Sequence, residues 1–420
     1  MIIKRKTIIT TLIILLTVII GIAFNSTEMC RLCVLLLLVL CILRGMKEEY
    51  FLNPYYMFAL VPFSLLIYSN ISDYHVELTV NTWLIAIINI AAFIIAMDIT
   101  PDYKHLKRCK GVGEGRELVK NTIILLILGF APTIYSVILG STMPLASIFS
   151  LLPSGAIICA MKSRKKILMG IVFAIFVLSW IGYVTKSTVL TFAIAVLIGY
   201  EKYYVKSVKQ KRILIILSIL GLLFMITAFS FANQGRGSES GINAVQYYAK
   251  YGGVKWDKNA ELLMPYMYLT TPWANLQYVM ETQATHTYGL WMIKPFLSYF
   301  QVDSLFQSYY TLNAYSNFNT FTYIAYCFKD FGFFGSCISS AVLGIFTKKV
   351  YSRFTVSRSP LDVTCYVLVA QAVVEMFFSN HFFTQSYPFT IVIIMGIYKN
   401  IFCKKNNSEI EFIRRENCDN

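Results

Sequence analysis

Arg236 has the setting of an anion-binding residue. It stands between two glycines in the stretch FANQGRGSESG, which begins at Phe231. Its guanidinium is a planar fork of donors that can grip a phosphate or diphosphate through two parallel hydrogen bonds. Gly235 and Gly237 let the backbone approach such a ligand closely. The alternative is that Arg236 only anchors a helix end by reaching lipid head groups.

Three residues are candidates for acid–base chemistry on a hydroxyl group. Such chemistry needs a side chain within hydrogen-bond reach of the proton that moves. Glu239, three residues after Arg236, is the first candidate for a base, and His286 is the second. Asp330, in the stretch DFG, is a further acidic candidate. A carboxylate at such a place is also typical of a structural partner of a cation.

Two more ionisable residues are predicted to lie at or in a membrane. Lys186 stands in the short turn between two apolar runs, at the same depth as Arg236. Glu375 lies inside an apolar run, where an ionisable residue is a functional candidate by default. Alternatively, Glu375 pairs with Gln371, one turn earlier.

The segment 232–321 is rich in aromatic residues and contains three of the five tryptophans and eleven tyrosines. Sugar rings present apolar faces that can stack on aromatic side chains, while sugar hydroxyls can bond to phenol and amide groups. Tyr247, Tyr248, Trp273 and Asn275 are therefore candidates for binding a carbohydrate. The alternatives are an aromatic belt at the membrane interface and the core of the loop itself.

Local signals predict helices within the same segment. Ser240 can cap a helix that runs to about Lys250. Thr271 followed by Pro272 predicts a second helix start, with proline at the first helical position. Because a disordered segment is poor in aromatic residues, we expect 232–321 to be a folded, mostly helical region.

Composition places these residues in a membrane protein. The chain has 420 residues, of which 57% are hydrophobic and 14% charged, with a mean hydropathy of +0.60. A soluble globular protein is nearer a quarter charged. Apolar runs long enough to cross a hydrocarbon core of roughly 30 Å recur along the chain, which predicts an all-α polytopic membrane protein. About twelve spans are predicted, at residues 7–24, 29–45, 54–71, 81–98, 121–140, 144–161, 167–184, 187–204, 213–231, 322–346, 361–379 and 386–402.

The distribution of basic residues predicts the orientation. With a cytoplasmic amino terminus, 29 of the 37 lysines and arginines fall in cytoplasmic segments, as the positive-inside rule requires. The carboxyl terminus is then cytoplasmic as well. The net charge of +15 is therefore explained by the basic residues of the cytoplasmic segments, and no nucleic-acid partner is predicted. The predicted domains are nine spans over 1–231, a large external loop over 232–321, three spans over 322–402 and a cytoplasmic tail over 403–420.

Common catalytic motifs are absent from the sequence. It contains no Walker A loop, no HExxH and no GxSxG. No cluster of His or Cys has the spacing of metal ligands, so neither a metal nor a cofactor is predicted.

Three stretches give the chain its resemblance to a known family. QGRGSES opens the large loop, YLTTPWANL lies within it, and YCFKDFGFFG leads into the next span. Together with the hydropathy pattern, they resemble the bacterial oligosaccharide repeat-unit polymerases, the O-antigen polymerases of the Wzy type. The resemblance implies a membrane-embedded transferase fold of the GT-C-like kind.

The resemblance also implies an activity. Members of this family polymerise oligosaccharide units carried on undecaprenyl diphosphate, at the external face of the bacterial cytoplasmic (inner) membrane. Arg236 would then hold the donor diphosphate and stabilise the charge that develops as it leaves. Lys186 would assist, and Asp330 falls on the family's DFG-like position. The implied partners are the lipid-linked oligosaccharide, membrane lipid, a chain-length regulator and a flippase.

Two other functions stay open. An O-antigen ligase has a similar topology and differs in its acceptor, a lipopolysaccharide core. A flippase or other transporter of the same lipid-linked units is expected to show internal pseudo-symmetry and polar residues spread through its spans. Here the polar residues concentrate in one external loop, which favours a transferase.

Overall fold

A computed structural model describes the larger part of the chain. The described residues are 5–70, 76–102, 116–140, 146–179, 186–216, 218, 249–250, 253–256, 260–282, 285–300, 302, 304–306, 312, 314–315, 320–383 and 387–397. The predicted ninth span, 213–231, and the predicted helix after Ser240 fall mostly outside these ranges.

The described residues are helical with turns between the helices, and no strand occurs among them, which confirms the all-α prediction at this level. The α-helices are Arg5–Phe24, Thr27–Gly45, Pro54–Phe58, Leu60–Asn70, Val80–Ile99, Arg116–Leu139, Ala146–Phe149, Leu152–Ser163, Lys166–Ser179, Lys186–Tyr203, Ala260–Thr282, Leu290–Tyr299, Tyr323–Val356 and Pro360–Val374. Residues 208–216 and Tyr387–Ile397 are helical as well, and 3-10 turns cover Glu375–Phe377 and His381–Phe383.

Several helices have the length and apolarity of membrane spans. Within the described ranges five are long and apolar enough to cross a bilayer: Val80–Ile99, Arg116–Leu139, Ala146–Ser163, Tyr323–Val356 and Pro360–Phe377. On Arg116–Leu139, Ile127 is 63% exposed and Val137 73%, whereas Leu125 is fully buried. Large exposed apolar side chains on one face are what a lipid-facing helix requires. The number twelve stays a prediction.

The chain forms two compact units. One contains Met1–Asp102, Val208–Tyr351 and Ala372–Phe383, and the other contains the remaining segments. In the first unit, the helix Ala260–Thr282 of the predicted external loop packs with helices of the first hundred residues. The domain borders predicted at 231, 321 and 402 stay a prediction. In the second unit, Gly129 lies so close to Pro153 that an added Cβ would approach the proline ring to 2.6 Å, the close helix packing typical of membrane proteins.

The main helix of the large loop, Ala260–Thr282, is hereafter the loop helix. It begins eleven residues before Thr271, so the predicted helix start at Thr271 and Pro272 is wrong. Both Pro265 and Pro272 lie inside it, although each removes one backbone hydrogen bond. The loop helix packs against the helices Leu60–Asn70 and Val80–Ile99. Burial of the whole element there outweighs the local preference of proline for a helix start.

The helix Tyr323–Val356, hereafter the long helix, is broken near its beginning. Gly332 has φ 67° and ψ −161°, a combination that is open essentially to glycine alone. The residues before the break, which include Asp330, therefore form a short helical piece of their own. It is this piece that meets the large loop.

Candidate functional site

Asp330 caps a helix of the large loop. The helix Leu290–Tyr299, hereafter the short helix, starts after Gly289. Glycine has no side chain that could accept hydrogen bonds from the first N–H groups of the helix. The backbone N–H groups of Trp291 and Met292 instead donate to the Asp330 carboxylate, each at 3.0 Å. Thr287 adds its hydroxyl as a third donor. A carboxylate at this position is also favoured by the positive end of the helix dipole.

Backbone hydrogen bonds fasten the same loop segment to the long helix. The N–H of Thr287 donates to the carbonyl of Lys329 at 3.0 Å, and the N–H of Tyr288 donates to the carbonyl of Asp330 at 2.8 Å. We call residues 286–292 and 328–332 together the joint. Six hydrogen bonds hold its two segments in a fixed register, of which the longest, at 3.4 Å, runs from the Thr287 hydroxyl to the Lys329 carbonyl.

His286 packs over the break in the long helix. A Cβ on Gly332 would lie 2.9 Å from Nε2 of His286, so the imidazole occupies the space where any other residue would carry its side chain. The ring also meets Phe328 edge-on, with 5.7 Å between the ring centres. Nδ1 of His286 is buried and has no hydrogen-bond partner among the described residues. The glycine of the DFG stretch is thus needed for space as well as for its backbone angles.

The structure brings two predicted site residues, His286 and Asp330, into one joint although 44 positions separate them in the chain. Asp330 forms no ion pair with any residue that the structure describes. The predicted pairing with a cation is therefore not seen there, and the carboxylate binds N–H and O–H donors instead. The sequence contained the DFG stretch but no signal that its aspartate caps a helix elsewhere in the chain.

Trp273 and Asn275, predicted to bind a sugar, are both fully buried. Nε1 of Trp273 donates to the hydroxyl of Ser64 at 3.0 Å. The Asn275 amide donates to the carbonyl of Thr320 at 2.7 Å and accepts from the N–H of Tyr315 at 2.8 Å. A sugar would have to displace these contacts to reach either side chain, so in this conformation both residues hold the loop together.

The other predicted site residues are outside the structural description. Lys186 begins the helix Lys186–Tyr203, but its side chain is not described. The remaining predicted residues lie outside the described ranges: Arg236, Glu239, Gly235, Gly237, Tyr247 and Tyr248. Their roles stay predictions.

A carboxylate–histidine pair was missed by the sequence analysis. Oε2 of Glu375 lies 2.7 Å from Nε2 of His381, and the two side chains are 3% and 18% exposed. The helix Pro360–Val374 gives way to a 3-10 turn at Glu375, and the N–H of Ser379 donates to the carbonyl of Glu375 at 2.8 Å. The turn at the end of this helix places His381 next to Glu375. In the sequence, the available signal for this pair was the group of polar residues that follows the apolar run containing Glu375.

The pair lies beside the short helix that Asp330 caps, because the 3-10 turn His381–Phe383 packs against Leu290–Tyr299. The large loop, the start of the long helix and the end of Pro360–Val374 therefore meet in one region of the first unit. Among the described residues, no group of three or more His, Cys, Asp or Glu side chains is placed to hold a metal ion.

Comparison of the chain with protein-family models, with curated proteins and with solved structures found no match. The resemblance to the O-antigen polymerases therefore rests on the three stretches and the hydropathy pattern.

Proposed function

We propose that this protein is a membrane glycosyltransferase that polymerises undecaprenyl-diphosphate-linked oligosaccharide repeat units into O-antigen or capsular polysaccharide. The reaction takes place at the external face of the cytoplasmic membrane. The observation that carries the proposal is the joint, where hydrogen bonds from the polar loop segment 286–292 to Lys329 and Asp330 fix that segment to the end of a membrane-length helix. A transferase whose donor is anchored in lipid needs its reactive groups near the ends of its membrane helices.

Firm attachment of the loop helix supports the same proposal. Oε1 of Gln277 accepts from the N–H of Thr79 at 2.8 Å, next to the start of the helix Val80–Ile99. With the Trp273–Ser64 bond, this fixes the loop helix to the helices beneath it. The described part of the loop around this helix is thus packed into the first helical unit. Groups carried by such a loop keep the preorganised positions on which electrostatic catalysis depends.

The proposed chemistry is a displacement at a sugar carbon. The hydroxyl oxygen of the acceptor unit forms a bond to the anomeric carbon of the donor, and the bond from that carbon to the diphosphate oxygen breaks. The proton passes to a base, Glu239 as first choice and His286 as second. The electron pair leaves with the diphosphate, which Arg236 holds with help from Lys186. The leaving group needs no nucleotide.

The alternatives are an O-antigen ligase and a flippase of lipid-linked units. The ligase differs only in its acceptor. Against the flippase stands the concentration of ionisable and polar residues where the loop meets the helix ends, since a transporter is expected to bind its substrate near the middle of the bilayer.

The test is a gel ladder of surface polysaccharide from the host after deletion of this gene. Single repeat units on the lipid acceptor are expected. Full-length polymer that stays on undecaprenyl diphosphate indicates a ligase, and loss of all external product indicates a transporter. An unchanged ladder contradicts all three.

A further inference from the structure

Lys329 is a largely buried lysine that forms no ion pair with any described residue. Its side chain lies just before Asp330, and the residue is 4% exposed. Nor does it form a side-chain hydrogen bond with any residue that the structure describes. Ionisable residues in membrane segments are rare, and they mark binding or transport sites.

Asp330 does not neutralise Lys329 by contact. Neighbouring positions on a helix point in different directions, and the Asp330 oxygens already accept from Thr287, Trp291 and Met292. The carboxylate therefore belongs to the cap of the short helix. No described residue therefore pairs with the Lys329 side chain, which leaves it open to another ligand.

A second polar group without a partner lies in the same joint. Nδ1 of His286 is buried and unpaired among the described residues. The backbone beside His286 is held in place by Thr287, whose N–H donates to the carbonyl of Lys329. An imidazole nitrogen that carries a proton is a hydrogen-bond donor. The joint thus holds two unsatisfied groups, one a cation and the other able to donate.

We propose that the joint is an anion site in which the Lys329 ammonium pairs with a phosphate group of a lipid-linked diphosphate and His286 donates a hydrogen bond to it. Phosphate oxygens fit the site because they accept charge-assisted bonds from lysine. The identity of the lipid diphosphate rests on the proposed function, whereas the binding of phosphate rests on the joint alone.

The test is a calorimetric titration of the full chain in nanodiscs of zwitterionic phosphatidylcholine. The probes are inorganic diphosphate and, separately, a short-chain polyprenyl diphosphate. We expect Lys329→Met to weaken the binding of both at least tenfold, and Lys329→Arg to recover most of the affinity. His286→Phe should weaken binding about threefold. Lys294→Met is the matched control and should change affinity less than twofold, since Lys294 rests on the ring of Trp291 at 4.4 Å.

Wild-type affinity in Lys329→Met overturns the proposal. So does complete displacement of the polyprenyl diphosphate by phosphatidylglycerol added to the nanodisc, because the site would then be a phospholipid head-group site. Lys329→Gln serves as a second variant if the Met variant does not insert. A normal polysaccharide ladder after gene deletion, together with Lys329-dependent diphosphate binding, removes the polymerase and leaves the anion site standing.

Discussion

The Glu375 carboxylate is almost fully buried and lies 2.7 Å from Nε2 of His381. The two residues are six positions apart, on either side of the place where the helix Pro360–Val374 unwinds. A buried carboxylate is tolerated only when it has strong hydrogen-bond partners. The pair therefore fixes the chain reversal that sets His381–Phe383 against the short helix.

Loss of one member of this pair should destabilise the protein. We expect Glu375→Ala to lower the free energy of unfolding by about 2–3 kcal/mol, since a buried hydrogen bond to a charged group is lost. His381→Ala should have a similar effect, and the double variant should cost less than the sum of the two. Thermal unfolding of the purified protein in detergent measures all three. The exposed Glu49→Ala is the control, and a Glu375→Ala melt equal to that of the control contradicts the prediction.

Conservative and non-conservative changes at Asp330 should separate capping from catalysis. Asparagine is a good helix cap, so we expect Asp330→Asn to keep the fold and most of the polysaccharide ladder. Asp330→Ala leaves the N–H groups of Trp291 and Met292 without their acceptor and should cost about 1–2 kcal/mol. Ladder length and melting temperature are measured for both variants. Loss of the ladder in a normally folded Asp330→Asn variant would show that the carboxylate takes part in the reaction.

Gly332 should tolerate no side chain. We expect Gly332→Ala to destabilise the protein by roughly 1–3 kcal/mol through its backbone angles alone, with a further cost because the new Cβ would meet the His286 ring. Gly170→Ala is the matched control: it lies inside the helix Lys166–Ser179 with open space around it. That change should stabilise by about 0.5–1 kcal/mol. Equal melting temperatures for the two variants would refute this account of the break.

Arg236→Ala should abolish polymerisation while the protein inserts at normal levels. The reason is the loss of the bidentate grip on the leaving diphosphate, which rests on the proposed function. Ladder length in a host whose own gene is deleted and complemented by the variant is the measurement. Arg31→Ala removes another arginine on the predicted external side, where it is exposed, and should leave the ladder unchanged. Full-length chains made by Arg236→Ala would remove this residue from the mechanism.

Hydropathy was sufficient to locate the helices. Every predicted span within the described ranges contains a helix, because in lipid the backbone must bond to itself and only apolar side chains face outward. Local capping signals could not locate the start of the loop helix correctly. Proline at 272 is a local signal for a helix start, and the burial of Trp273 against Ser64 that overrides it depends on residues more than two hundred positions away.

The sequence allowed a prediction of which residue types belong to the site, but not of the contacts between them. DFG was visible in the sequence, yet the cap at Asp330 depends on where the short helix begins. The pair of Glu375 with His381 depends on the unwinding of a helix end. Lys329 forms no ion pair with a described residue although Asp330 follows it in the chain, because the Asp330 oxygens accept from the short helix and Thr287.

The joint also limits which parts of the protein can move independently. At the break in the long helix, the carbonyls of Lys329 and Asp330 accept from Thr287 and Tyr288, so the loop completes the hydrogen bonding of a helix end. If the segment moved away, both carbonyls would lose these donors, at a cost of roughly 1–3 kcal/mol for each one left buried and unpaired. The segment 286–292 is therefore expected to move together with the start of the long helix.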